Sequence, residues 1–372
     1  MRRREFLLRS SHASLGVASF ALFGCGTRST PGLAATREAG AFIDHLERQI
    51  PEWMRETAVP GVGLSIIADA AVAWRGGFGV GDEASRRAVD GNTMFEAASM
   101  SKPAFAYVVM KLHETGVLNL DTPLTRYTSD RFLPGDARLD MITARHILSH
   151  TGGFQNWRSE EAPLAIHFTP GEKFLYSGEG YNYLQTVVTR LLRQPFESYM
   201  DERLFRPLGM LSSGYVWNDT FAARMARPHD SHGRPIDNKR STAHDVARYG
   251  AAGALLTTPT DFARFVIALI DAAPRDLFHL AENSVAEMLR PQVSIEGGRY
   301  PASWALGWQI FHNRDRDFLY HGGDNEGFHC FAVASVAGKS GIVVMTNGES
   351  GTAFLQKLLE DENTQAFLAR AV

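Results

Sequence analysis

The chain has 372 residues, 44% of them hydrophobic and 21% charged, with a formal net charge of −3. That apolar content excludes a disordered chain, and the near-neutral balance excludes a nucleic-acid binder built on a basic face. Two cysteines, Cys25 and Cys330, are too few for a disulfide framework or a four-cysteine zinc site.

The amino terminus reads Met1-Arg2-Arg3-Arg4-Glu5-Phe6-Leu7, a pattern that resembles a twin-arginine export signal. The apolar stretch that follows, Leu15 to Phe23, is too short to span a membrane. Leu22-Phe23-Gly24-Cys25 resembles a lipoprotein cleavage box with Cys25 as the lipidated residue, and a cut after Ala35 is the alternative. Residues 1–24 are therefore expected to leave as an export signal. The expected location is the periplasm or cell envelope, with a possible lipid anchor. Loss of this segment removes four Arg and one Glu and leaves a charge of −6 over 348 residues.

Thr36 to Glu56 is predicted to be a helix that ends before Pro60. Val62–Ala68 and Ala71–Phe78 are β-rich runs around Asp69-Ala70, which predicts a hairpin. From about 99 to 290 the pattern is mostly helical. Thr258-Pro259-Thr260-Asp261 is a clear start signal, with an N-cap Thr, Pro at N1 and an acid at N3. Near the other end, Gly307–Phe311, Phe318–His321, Phe328–Val336 and Gly341–Thr346 read as strands, the last two joined by a turn over 337–340. A final helix is expected from about Thr352 to Ala369. The expected fold class is α+β. A largely antiparallel sheet is built from both ends of the chain (about 36–98 and 300–372) and flanked by terminal helices, with a helical lobe (about 99–299) inserted. The cleft between lobes is where a site is expected.

Several motifs fail. Gly338-Lys339-Ser340 lacks the glycine a phosphate loop needs, because position 333 is Val333. There is no G-x-S-x-G elbow. His146 and His150 are spaced four apart, which raises a zinc hydrolase as one reading. No H-E-x-x-H pattern accompanies them, so they read better as polar groups tying a helix to a loop, and neither metal nor cofactor is expected.

One constellation carries chemistry. Ser99-Met100-Ser101-Lys102 begins an apolar run that predicts a helix from Ser99 to Thr115. On a helix, residues three apart share a face, so Lys102 sits beside Ser99. A serine hydroxyl is a poor nucleophile until a base takes its proton, and a lysine of lowered pKa can do so. The helix N-terminus adds positive potential for a developing oxyanion. The chain holds only six Lys among 38 basic residues, so a lysine set on an apolar helix stands out. Arginine is not deprotonated in proteins and cannot replace it.

Two more segments complete a pattern: Lys173-Phe174-Leu175-Tyr176-Ser177-Gly178-Glu179, and Tyr320-His321-Gly322-Gly323-Asp324 leading into His329 and Cys330. With Ile147-Leu148-Ser149-His150-Thr151-Gly152-Gly153, Leu204–Met210 and Gly307-Trp308, the sequence from about Pro60 to Thr346 resembles the serine β-lactamase and penicillin-binding protein superfamily. It is most like the class C β-lactamase-like group, which includes esterases and D-amino-acid peptidases. The resemblance implies a β-lactamase/transpeptidase-like fold. It implies Ser99 as acyl-accepting nucleophile, Lys102 as the group that tunes or takes its proton, and Tyr176 as general base and then acid. The backbone N–H groups of Ser99 and Asp324 would form an oxyanion hole. His321, Gly322 and Gly323 would line the substrate strand, the missing Cβ atoms of the two glycines letting substrate approach. His321 stands where other members carry lysine, a possible cation that titrates near neutrality.

Gly178 occupies the asparagine position of the family's Y-x-N motif, with Glu179 or Asn182 as possible sources of a replacement polar group. Losing that amide and the strand lysine points away from an efficient β-lactamase. The expected partner is a small-molecule ester or amide or a cell-wall-like peptide, hydrolysed through a Ser99 acyl-enzyme. The alternative is an envelope protein that binds penicillin or peptidoglycan fragments with little or no turnover. Ser101 and Ser177 read as local hydrogen-bond partners, and Cys330 as a small buried hydrophobe.

Overall fold

The computed structural model describes residues 37–369 apart from 238–240, 273–275, 299 and 314–315. The expected export signal and the lipidation candidate Cys25 lie outside the described residues. Among the described residues eleven strands form, in chain order β1 (Gly61–Ala68), β2 (Ala71–Asp82), β3 (Arg87–Ala88), β4 (Phe95–Ala98), β5 (Leu255–Thr257), β6 (Val293–Ile295), β7 (Ala302–Trp304), β8 (Gln309–Asn313), β9 (Arg316–Asn325), β10 (Phe328–Ser335) and β11 (Ser340–Thr346). Nine of them make one antiparallel sheet in the order β3-β2-β1-β11-β10-β9-β8-β7-β6, while β4 and β5 pair separately.

The first hairpin turns at Asp69 and Ala70, both left-handed at φ 51° and 54°. Two positive φ values give the turn whose twist matches the strands it joins. β1 then pairs with β11 in a register that sets Val62 opposite Thr346, so the two ends of the chain close one sheet. Both faces of that sheet are covered. One face, through Val62, Leu64, Phe331 and Val344, meets the helix Arg37–Thr57 and the C-terminal helices through Phe42, Leu46, Phe354 and Phe367. The other packs the helix Pro259–Ile270, and the helix Ser101–Glu114 joins the same core. The run from Ser101 to Met110 is buried throughout, as an all-round apolar helix must be. Thr258 caps the helix Pro259–Ile270 by accepting from the Asp261 N–H at 3.1 Å, as its start signal predicts.

Three expectations change. The sheet begins at Val293 rather than near residue 300, because the short β6 and β7 extend its edge. The C-terminal helix is two helices, Gly351–Glu360 and Glu362–Leu368, broken at Asp361, whose carboxylate accepts from the Thr364 N–H and starts the second. The stretch from Ser149 to Ser177, inside the helical lobe, is almost free of helix and strand.

Candidate active site

The Ser99 segment is set by a strained turn. Ala98, the last residue of β4, is left-handed at φ 45°, unfavourable for a residue with a Cβ. The turn delivers Ser99 to the start of the helix Ser101–Glu114. Ser101 fixes the turn: its hydroxyl donates to Ala98 O at 2.6 Å and accepts from the Leu255 N–H at 2.9 Å, the local role expected of it. Lys102, one turn along, is fully buried, and its Nζ lies 3.1 Å from Ser99 Oγ and donates to Ala252 O at 2.6 Å. Burial lowers its pKa to about 7, so a large neutral fraction exists at neutral pH.

Tyr176 closes the third corner. Ser99 is a hydrogen-bond partner of its phenol, and the Lys102 Nζ sits 4.8 Å from the ring centroid. Burial pushes the phenol pKa well above its usual value, the Ser99 hydrogen bond opposing. The phenol is therefore neutral where Lys102 titrates, which disfavours the phenolate that the general-base role implies. The ring packs on His150 at 4.2 Å between centroids and on Trp304 at 5.6 Å, and those two rings meet each other at 4.7 Å.

His150 is the residue whose place the sequence conceals. The helix Ala144–Leu148 ends before it, and at φ 57° it points away from the run that carries His146, so the two imidazoles share no helix face. It is buried, and its Nδ1 accepts from the Ser177 N–H at 3.0 Å while its carbonyl accepts from the Leu175 N–H at 2.8 Å. It thus holds the backbone on both sides of Tyr176. Burial, then the charge of Lys102, drives its pKa well down. Among the described residues no cluster of His, Cys, Asp and Glu has metal-site geometry. Ser177 caps the next helix, accepting from the Gly180 N–H at 2.9 Å and donating to Gln155 O at 2.9 Å.

The third motif lies on β9. β8 pairs with β9 only as far as Tyr320, so residues from His321 to Asn325 have no strand partner on that side. A Cβ on Gly323 would stand 2.4 Å from Ala97 O and 2.8 Å from Cys330 Sγ. Gly323 therefore lets β9 approach the nucleophile turn, which corrects the expectation that the missing Cβ makes room for substrate. A Cβ on Gly322 would meet the Tyr320 hydroxyl at 3.0 Å. Cys330 is free and buried, its thiol donating to Ala97 O at 3.3 Å. Asp324 follows on the same strand, and the Ser99 N–H has no acceptor among the described residues.

His321 is not the cation its position suggests. It is buried edge-on against Trp304 and Trp308, and its Nδ1 donates to Gly322 O at 2.7 Å. Burial, helped by the Lys102 charge, lowers its pKa to about 3, so the ring is neutral at neutral pH. The positive charge beside β9 comes instead from His329 on β10. Burial works against the charged ring, but the Asp324 hydrogen bond (2.7 Å) and Glu349 outweigh it and raise its pKa to about 9.

Gly178 opens the helix Gly178–Leu192, its N–H donating to Asn156 Oδ1 at 2.8 Å. Neither suggested polar substitute reaches Lys102, whose hydrogen-bond partners are Ser99 and Ala252. Glu179 is buried in an ion pair with Arg158, at 2.6 Å, and accepts the Arg158 N–H at 3.0 Å. Asn182 is buried one turn further on.

Ser99, the buried Lys102 and Tyr176 thus meet in one cluster, a residue set of the kind a serine hydrolase uses. The chain belongs to the Beta-lactamase family, which it matches over residues 43–363. Protein flp of Staphylococcus aureus is 24% identical over 82% of this chain and 63% of its own length. The unguisins hydrolase ungD of Aspergillus violaceofuscus is 24% identical over 89% of this chain and 66% of its own. The chain thus spans slightly less than two thirds of these curated relatives. The fold is that of an octameric penicillin-binding protein homologue from Pyrococcus abyssi, with a TM-score of 0.73 at 22% identity, covering 88% of this chain and 79% of that one. It is also that of a D-alanine carboxypeptidase from Burkholderia cenocepacia, with a TM-score of 0.69 at 20% identity, covering 86% and 100%. The β-lactamase/transpeptidase fold, α+β with a large antiparallel sheet, is the one the motifs imply.

Proposed function

We propose that the protein hydrolyses ester or amide bonds of small molecules or D-amino-acid peptides through an acyl-enzyme on Ser99. The observation that carries this reading is the fully buried Lys102, with its Nζ 3.1 Å from Ser99 Oγ and its pKa lowered to about 7. Neutral Lys102 takes the Ser99 proton as Oγ bonds to the substrate carbonyl carbon. The carbonyl π electrons move to oxygen, and the N–H groups of Ser99 and Asp324 donate hydrogen bonds to the resulting oxyanion. When the tetrahedral species collapses, the neutral Tyr176 phenol gives its proton to the leaving group and regains one from the Lys102 ammonium. Water then attacks the acyl-enzyme, Lys102 takes its proton, and Ser99 leaves with one.

One relative is a hydrolase and one fold neighbour a carboxypeptidase, which supports hydrolysis as the class. Export to the periplasm or envelope rests on the arginine-rich start of the sequence. The test is labelling with a fluorophosphonate. Wild type reacts and Ser99→Ala does not, and persistent labelling of the variant moves the nucleophile elsewhere. A panel of nitrocefin, short-chain nitrophenyl esters and D-alanyl peptides, each against Ser99→Ala, then sorts the substrates. Absence of turnover on all of them, with Ser99 still labelled, favours a binding protein.

A further inference from the structure

At position 178 the site has an aromatic surface in place of a side chain. A Cβ on Gly178 would lie 2.5, 2.7 and 2.8 Å from Cη2, Cζ2 and Cζ3 of Trp157. The edge of the indole therefore rests on the Gly178 backbone, two residues beyond Tyr176. The loop that carries it is stitched to the helix start. Asn156 accepts the Gly178 N–H with its side chain and the Glu179 N–H with its carbonyl, at 2.8 and 3.0 Å, and the Arg158–Glu179 ion pair closes the other side. An indole held by neighbours on both flanks has lost its freedom before any ligand arrives, so a contact with it costs little ordering.

Despite this anchoring, Trp157 remains 42% exposed. Its ring packs edge-to-face with Tyr249 at 6.0 Å. Tyr249 stands three residues before Ala252, whose carbonyl holds Lys102, so the ring pair joins the helix start that follows Tyr176 to the helix Ala243–Gly253 that carries Ala252. An amide side chain at 178 would read a substrate amide by hydrogen bonding. The indole edge offers dispersion and apolar area there.

Resting on the Ser99 acyl-enzyme reading, we infer that Trp157 is a substrate-contact residue which, with Tyr249, receives the larger apolar group of an ester. The preference is measured as kcat/KM on two series of esters: nitrophenyl esters with acyl chains from two to eight carbons, and acetate esters with alcohols lengthened in the same way. Wild type is expected to gain roughly two- to fourfold per added methylene along one series. Trp157→Ala is expected to flatten that gain to under about twofold across the whole series, so that its loss is largest on the longest ester and smallest on the acetyl ester. Trp157→Phe should restore most of the slope. A wild type with no chain-length dependence in either series overturns the inference, as does a Trp157→Ala variant that keeps the wild-type slope. An equal loss on short and long esters also overturns it, since that is what a merely structural tryptophan produces. Fluorophosphonate labelling of Ser99 in each variant separates this failure from failure of the acyl-enzyme itself.

Discussion

Replacing Lys102 by methionine is expected to stabilise the protein at neutral pH while abolishing turnover. The side chain is fully buried, and burial alone takes its pKa from 10.5 to about 7. That shift means the charged form is disfavoured in the folded state by roughly 5 kcal/mol. The sign follows from proton counting. Between pH 7 and 10.5 the unfolded chain holds a proton on Lys102 that the folded chain has lost, so wild-type stability rises with pH in this window. The penalty is fully present below pH 7 and relieved as the pH climbs through the unfolded value. Methionine keeps the volume and removes the penalty, but leaves Ala252 O without its donor, at a cost of about 1–3 kcal/mol. Near pH 7 the variant should thus unfold roughly 1–3 kcal/mol less readily than wild type. The sharper quantity is the difference between the two proteins as pH changes. It should shrink by roughly 3 kcal/mol between pH 7.5 and 9.5, about 1.4 kcal/mol per pH unit. Other groups that titrate there, His329 above all, occur in both proteins and cancel. Urea midpoints and slopes at half-unit intervals give the curve. A flat difference across that range would show that Lys102 titrates near its ordinary value, and the neutral amine would no longer be available to take the Ser99 proton.

Other outcomes follow from the same geometry. In single-turnover acylation the rate should rise with pH through about 7 with one proton lost, and Lys102→Arg should abolish it, which rapid-mixing kinetics on a nitrophenyl ester reads directly. Tyr176→Phe should cost about 10²–10⁴ in acylation by an amide but far less by a nitrophenyl ester, whose leaving group needs no proton; equal losses would take Tyr176 out of the acid role. The raised pKa of His329, from 6.5 to about 9, contributes stability that is fully present below pH 6.5 and lost as pH passes through 9. Because the Asp324 carboxylate is 74% exposed, solvent screening holds that contribution to roughly 1–2 kcal/mol, and His329→Gln should remove both it and its pH dependence in urea unfolding. Gly323→Ala should push β9 off Ala97, costing about 1–3 kcal/mol in stability and a larger share of kcat than of KM, because it displaces Asp324 from Ser99.

The parts of this site that could be read from the sequence are those whose cause is local. Asp69-Ala70 between two β-rich runs gives a hairpin, Thr258-Pro259-Thr260-Asp261 gives a helix start, and Ser99 and Lys102 three apart give a pair on one face. What stayed hidden depends on contacts between distant segments. Ala252 holds Lys102 with a carbonyl that every residue type possesses. His150 clamps Tyr176 from a left-handed position just past a five-residue helix, where helical spacing suggests a different face. The neutrality of His321 comes from burial against Trp304 and Trp308, and Trp304 lies on a three-residue strand with no alternation to reveal it. The break at Asp361 interrupts a run whose helical pattern continues on both sides, so only the cap geometry shows it.

These distant contacts also explain how the lysine keeps its lowered pKa. A carboxylate beside Lys102 would favour the ammonium and raise its pKa. Acids are not scarce around the motifs, yet each is held by another partner: Glu179 by Arg158, Asp324 by His329, and Glu96 by the Asn325 amide at 2.6 Å. Burial is consequently the cause that acts on Lys102. The same arrangement gives a reason for the Gly178–Trp157 contact beyond the substrate. The indole fills the place where a side chain at 178 would begin, so an acidic residue there could enter only by displacing a ring that the Asn156 and Arg158 contacts hold down. The Trp157 ring thus disfavours a carboxylate at position 178, where it would compete for Lys102, the residue proposed to take the Ser99 proton.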